Sequence, residues 1–171
     1  RLKVEVAGEA IGRLNPHVTV VPRAERLTAG NAAGMVSGCD LVLDGCDSFE
    51  TRALVNAACV AEGVPLIAAA MSQWEGQISL YDPARGGPCF ACIFPNAPAS
   101  GLAPSCAAAG VIGALPGVMG SMMALEAIKE LARAGTGLRR RMLIYDGLGA
   151  DTRRIRTSAR ADCGVCQGIG R

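Results

Sequence analysis

The sequence has one histidine and little charge. His17 follows Asn15-Pro16 in a turn and has no serine or cysteine partner at triad spacing, so nothing points to a Ser-His or Cys-His hydrolase. Charged residues are 19% of the 171, with 17 basic against 15 acidic and the signs interspersed, and a net charge of +2 gives no field strong enough to hold nucleic acid. Half the residues are apolar, which excludes a disordered chain and suffices for one core. There is no dinucleotide fingerprint and no hydride-handling pair, which argues against an NAD-dependent dehydrogenase. No internal repeat or domain linker is found. No signal sequence precedes the eight cysteines and their density falls short of a disulfide scaffold, so reduced thiols in a cytoplasmic setting are expected. The uncharged stretch Ala107 to Leu125 is mostly alanine and glycine and is interrupted by Pro116, so it reads as a buried helical region and not a membrane span. There is no start methionine: Arg1 opens directly onto a helical pattern, and the sequence is expected to begin inside its domain.

What is present alternates between helical and strand patterns. Val4, Ala7, Ala10, Ile11 and Leu14 recur at helical spacing until Asn15-Pro16, and a strand is expected at Val18 to Val21. A loop and short helix span Arg23 to Met35, and a strand follows over Asp40 to Asp44. Asp47 and Ser48 are N-cap candidates for a helix from Phe49 to Glu62, which Gly63 closes. Further strands are expected at Leu66 to Met71, Gln77 to Tyr81 and Arg141 to Tyr145, with a helix from about Gly117 to Ala134 and an edge strand over Thr152 to Thr157. This order predicts an α/β fold with a mostly parallel sheet and helices on both faces. Ligands in such sheets bind at strand carboxyl ends, which makes Asp44 to Ser48 the first place to look for chemistry.

Two C-x-x-C pairs, Cys89-Phe-Ala-Cys92 and Cys163-Gly-Val-Cys166, have the spacing that turns adjacent thiolates toward one ion. Together they would complete a closed, structural zinc shell tying the end of the chain to a mid-chain loop; a redox motif or buried thiols are the competing readings. Asp47 could hold Mg²⁺ on nucleotide phosphates or merely cap the helix, and Arg52 could pair with it, reach phosphate or stay solvated. Lys3 is an anion ligand or a surface charge. Cys106 precedes the small-residue helix expected over Ala107 to Gly113, whose amides would favour a thiolate able to attack an activated acyl group. Cys39, Cys46 and Cys59 lack such a setting and read as core or helix-face thiols. The arginines at 139 to 141, with Arg153, Arg154 and Arg156, read most simply as solvated charge, with an acidic protein partner as the other possibility.

A set of stretches in fixed order carries a resemblance: Lys3-Val-Glu, Leu14-Asn-Pro-His17, Asp40-Leu-Val-Leu-Asp-Gly-Cys-Asp47, Thr51-Arg52, Glu75-Gly-Gln77, Pro88-Cys-Phe-Ala-Cys92, Cys106-Ala-Ala-Ala-Gly110, Pro116 to Ser121, Ala124 to Lys129 and Cys163-Gly-Val-Cys166. Nearly the whole chain resembles the MoeB/ThiF/HesA family, the prokaryotic relatives of ubiquitin-activating enzymes. The resemblance implies a Rossmann-like fold and the MgATP-dependent adenylation of the C-terminal glycine of a small ubiquitin-like sulfur-carrier protein of MoaD or ThiS type, in molybdopterin or thiamine biosynthesis. It implies phosphate contact for Lys3, adenylation and metal binding for Asp47, and structural zinc on Cys89, Cys92, Cys163 and Cys166. Cys106 matches a loop cysteine that in some members links covalently to the carrier or takes part in sulfur transfer. A homodimer is implied, with the helix from Gly117 to Ala134 as its contact surface.

The departures set further expectations. Ser48 stands where many family members have asparagine, so its nucleotide contact is less firmly implied. The family's opening strand, glycine-rich phosphate loop, ribose-binding acid and arginine segment are not in this sequence. Residues 1–171 are therefore expected to be the C-terminal part of a single adenylation domain that alone binds MgATP poorly. Small residues around Gly76 and Gly101 are expected to leave room for the carrier's tail. The alternative is a non-catalytic, zinc-stabilised scaffold subunit or an inactive fragment; the retention of both Lys3 and Asp47 argues against the scaffold, and the missing phosphate loop argues for it.

Overall fold

The computed structural model describes residues 1–97 and 110–169. The helical repeat at the start forms α1 (Lys3–Leu14), with the Leu2 N–H donating to the Glu5 carboxylate at 3.4 Å. It ends where Pro16 forces Asn15 into extended backbone, φ −148° and ψ 100°. None of its residues is buried. The strand expected at Val18 to Val21 does not form. None of the described residues pairs with it, and without a neighbour for its backbone groups it stays irregular, with Val18 and Val21 exposed.

Helix α2 (Ala32–Val36) leads into β1 (Val42–Asp44), and α3 (Phe49–Glu62) begins and ends at the expected punctuation. The Ser48 hydroxyl accepts the Thr51 N–H at 3.1 Å, and Gly63 takes the left-handed conformation, φ +68°, that closes a helix. Strands β2 (Leu66–Ser72) and β3 (Glu75–Tyr81) follow, then a 3-10 turn (Pro83–Arg85), α4 (Phe90–Ile93), α5 (Leu115–Ala132), β4 (Arg141–Asp146) and β5 (Asp151–Arg156). The fold class is α/β, with a five-stranded mixed sheet in the order β1-β2-β3-β4-β5. Only β1 and β2 are parallel; the other three pairings are antiparallel, unlike the mostly parallel expectation. Connection length explains much of the difference. Only Gln73 and Trp74 join β2 to β3, enough for a hairpin and far too few for a parallel crossover.

Alternation along β2 divides the core between the two faces of the sheet. Leu66 and Ala68 pack with Val36, Val55, Ala58 and Phe90, while Ile67 and Ala69 pack with Ile78, Leu115, Met119 and Met123. Helices thus cover both faces. Gly76 on β3 is buried, and a Cβ there would run into the Met119 side chain. Its small size lets α5 close on the sheet; it opens no groove for a tail, and Gly101 lies outside the described residues. The helix expected over Ala107 to Gly113 is likewise corrected in its described part. Gly110 and Ile112 exchange backbone hydrogen bonds with Gln73 at 2.9 and 3.0 Å, so this stretch is a bridge to the sheet and α5 starts only at Leu115.

Arg139 is not a solvated charge. Its guanidinium donates to the buried Asp82 carboxylate at 2.9 and 3.1 Å and to Glu130 at 2.7 Å, fixing the 3-10 turn to the start of β4. Every residue of β5 is exposed. Among the described residues no helix is long and apolar enough to cross a membrane.

Candidate functional site

Two groups of side chains stand out, both against α3. The first lies where β1 ends. Asp44 is buried, and its Oδ1 accepts the Cys46 N–H at 2.8 Å, bending the chain out of the strand. Ser48 then caps α3 by accepting the Thr51 N–H, and its own hydroxyl donates to Thr51 Oγ1 at 2.7 Å. Of the two cap candidates, Ser48 is therefore the cap. The Asp47 side chain is left exposed and accepts no hydrogen bond from the described residues. A carboxylate so placed, one residue before the N-cap and at a strand's carboxyl end, has its oxygens free for a hard cation.

Arg52 neither pairs with Asp47 nor faces solvent. Its Nη2 donates to the Cys46 carbonyl and, at 2.7 Å, to the Ala69 carbonyl on β2. The Cys46 thiol between these groups is pushed up to about 12, first by burial and then by its hydrogen bond to Asp44, so it stays protonated and unreactive at neutral pH. Lys3 is exposed on the first turn of α1, and no hydrogen bond or ion pair among the described residues joins it to the Asp44 to Ser48 segment. Cys106 lies outside the described residues.

The second group is the cysteine cluster. Cys89, Cys92, Cys163 and Cys166 are all buried, and their sulfurs lie within 4.8 Å of one another. Three of the separations are 3.4, 3.7 and 3.8 Å. A tetrahedral ion with metal–sulfur bonds of about 2.3 Å requires sulfur–sulfur edges of about 3.8 Å, so the cluster fits such an ion with little adjustment. No disulfide joins the four thiols. The pairs sit on two tight turns, closed by Cys92 N–H to Cys89 O at 3.1 Å and Gln167 N–H to Cys163 O at 3.0 Å. Supporting contacts come from residues that sequence reasoning missed. Asn56, buried on α3, accepts the Phe90 N–H at 2.8 Å, Val60 packs among the four cysteines, and the Arg160 N–H points at Cys92 Sγ, 3.4 Å away. An asparagine inside an apolar helix was an available signal, because burying an amide is costly without a partner; here Oδ1 finds one in the Phe90 N–H, while Nδ2 has none among the described residues.

Helix α3 connects the groups. Its first residue, Phe49, packs its ring against that of Phe90 at a tilt of 52°, with centroids 5.6 Å apart, and its last turns carry Asn56 and Val60 to the cysteine turns.

Comparison with known proteins identifies the family and the fold. The model of the ThiF family matches residues 1–165. The chain is 42% identical over 168 residues to a sulfur carrier protein adenylyltransferase of Thermus thermophilus, covering 96% of this chain and 62% of that protein. It is 44% identical over 165 residues to the adenylyltransferase and sulfurtransferase MOCS3 of Mus musculus, covering 96% of this chain and 36% of that protein. The chain thus spans less than two thirds of either relative. Among solved structures, Escherichia coli MccB with ATP superimposes with a TM-score of 0.80 at 18% identity, covering 97% of this chain and 50% of that one. The biosynthetic enzyme MccB in complex with N-formylated MccA gives 0.81 at 19%, over 97% of this chain and 52% of that one. At such identities these two likenesses speak for the fold.

Proposed function

Because this chain belongs to the ThiF family, we propose that it serves the ATP-dependent adenylation of the C-terminal glycine of a ubiquitin-like sulfur-carrier protein, of the MoaD or ThiS type that feeds molybdopterin or thiamine synthesis. The observation that carries this reading is the Asp47 carboxylate, exposed and unbonded among the described residues at the end of β1, where a strand–helix junction offers a nucleotide site.

In this reaction a carrier carboxylate oxygen bonds to the α-phosphorus of ATP, the bond from that phosphorus to the bridging oxygen breaks, and pyrophosphate leaves with the electron pair. The obstacle is the approach of two anions and the charge growing on pyrophosphate, so the protein's contribution is orientation and charge compensation. Asp47 would hold Mg²⁺, which supplies positive charge to the phosphates. Lys3 would offer its ammonium to the same phosphates. Ser48 has one lone pair left after capping α3, available to a ribose hydroxyl. Cys106 is proposed to attack the acyl adenylate once formed: sulfur bonds to the acyl carbon, AMP departs, and the carrier is held as a thioester. The four paired cysteines would hold Zn²⁺ as a closed structural site. Reduced thiols of this kind suit a cytoplasmic protein.

We also place a second copy of the chain against α5. This helix leaves Leu125, Ile128 and Leu131 about 60% exposed, at one-turn intervals along one face. Sedimentation of the full-length protein is expected to give a dimer, and a monomer would remove this part.

The decisive experiment is ATP–pyrophosphate exchange by the full-length protein with a carrier ending in Gly-Gly. Exchange should depend on the carrier and vanish in Asp47→Asn. Intact exchange in that variant would refute the role given to Asp47.

A further inference from the structure

Asp47 is only as well placed as the residue before it, and both polar backbone groups of Cys46 are taken up by flanking side chains. Its N–H donates to Asp44 Oδ1 at 2.8 Å, and its carbonyl accepts from Arg52 Nη2. The same nitrogen carries a second hydrogen, which goes to the Ala69 carbonyl at 2.7 Å. Strand β1 stops at Asp44, opposite Ala68, so the carbonyl of Ala69 lies past the last β1 residue. The guanidinium of Arg52, on the first turn of α3, supplies the donor that a longer β1 would have provided. One side chain therefore joins three elements: the helix it stands on, the loop carrying Asp47, and β2.

We propose that Arg52 is a positioning residue for the reaction, fixing the Asp47 carboxylate through the Cys46 peptide. The inference rests on the reading of Asp47 as the Mg²⁺ ligand. It assigns Arg52 a role that surface solvation does not describe, because two of its five N–H donors, both on Nη2, are committed to backbone carbonyls. Charge-assisted bonds to two carbonyls hold a fixed direction better than a single-point contact. A displacement of about 1 Å in a group that orients reacting partners costs on the order of 100-fold in rate.

The test compares wild-type full-length protein with Arg52→Gln and Arg52→Lys by two readouts. The first is pyrophosphate exchange across a Mg²⁺ titration, with and without millimolar free guanidinium. The second is amide hydrogen exchange at residues 45 to 48, which needs no activity. The expected result for Arg52→Gln is a kcat lower by about 100-fold with the carrier KM unchanged, a raised Mg²⁺ requirement, partial rescue by guanidinium, and faster amide exchange confined to the loop. Arg52→Lys should fall between the two. A folded variant with wild-type kcat overturns the proposal, as does a loss that guanidinium does not rescue and that comes with faster exchange throughout α3. If wild-type protein shows no pyrophosphate exchange, the adenylation reading fails. The amide data still decide whether Arg52 holds the loop, and unchanged exchange there overturns it independently.

Discussion

Removing metal from the cysteine cluster should unfasten the end of the chain at a cost the structure allows to be worked out. Cys89 and Cys163 are 74 positions apart and their sulfurs lie 3.7 Å from each other, so an ion held by both closes a loop of that length. Treated as a crosslink, the loop-entropy relation for this length gives about 4.4 kcal/mol at 25 °C taken from the unfolded state. For a chain of this size, each kcal/mol moves the melting temperature by about 2–4 °C, so the shift should be about 9–18 °C. The assay is thermal denaturation of the purified protein before and after a strong chelator, alongside elemental analysis. Stoichiometric zinc is expected, and Cys166→Ser should reproduce the chelated melting curve because it breaks the shell at one ligand. Absence of zinc from the protein as purified, or a melting curve indifferent to both chelator and substitution, would refute the crosslink.

Three further outcomes follow from packing and burial. Gly76→Val should lower stability by about 1–3 kcal/mol in chemical denaturation, because the added atoms meet Met119; unchanged stability with weakened carrier binding would instead restore the groove. Asn56→Ala should cost about 1–3 kcal/mol by stranding the buried Phe90 N–H, and should also weaken zinc retention in a competition assay with a colorimetric chelator. Retention equal to wild type would detach Asn56 from the cysteine turn. Burial, and then the charge of Asp44, push the Cys59 thiol up from 9.0 to about 12. The folded value exceeds the unfolded one, so the associated stability is complete below pH 9 and declines as pH rises toward 12. Urea titrations between pH 8 and 10.5 should show that decline, and Cys59→Ala should make it shallower while the Cys46 thiol, raised in the same direction, keeps a remainder; an identical slope in the variant would locate the effect elsewhere.

How much the residues announced depended on whether the deciding interaction was local. Helix α3 was read to its end residues because its start and stop are encoded within the helix and its immediate neighbours, in Ser48 and Gly63. The cysteine cluster was legible for a similar reason, since C-x-x-C spacing is a local geometry and two copies imply each other. The strand expected at Val18 to Val21 had the right composition but no partner among the described residues, and pairing is a long-range fact that β propensity does not contain. Strand direction failed in the same way where two residues separate β2 from β3, although there the short connection could have been weighed more heavily. Gly76 was misassigned because a glycine's missing side chain has two uses, space for a ligand and space for a helix, and only Met119 distinguishes them. Arg52 was noticed in sequence, but its two carbonyl partners, one on a different strand, could not be read from a helix pattern.

The outermost strand has a bearing on how copies of this molecule meet. β5 lies at the rim of the sheet with all six residues in solvent, and Arg153, Arg154 and Arg156 sit on it in near succession. An unpaired rim ordinarily invites another rim to extend the ladder. Two such rims brought together would oppose three guanidinium groups on each side, and the repulsion would grow as salt is withdrawn. Among the described residues β5 has no partner on its outer side, and self-association along this border is thereby discouraged.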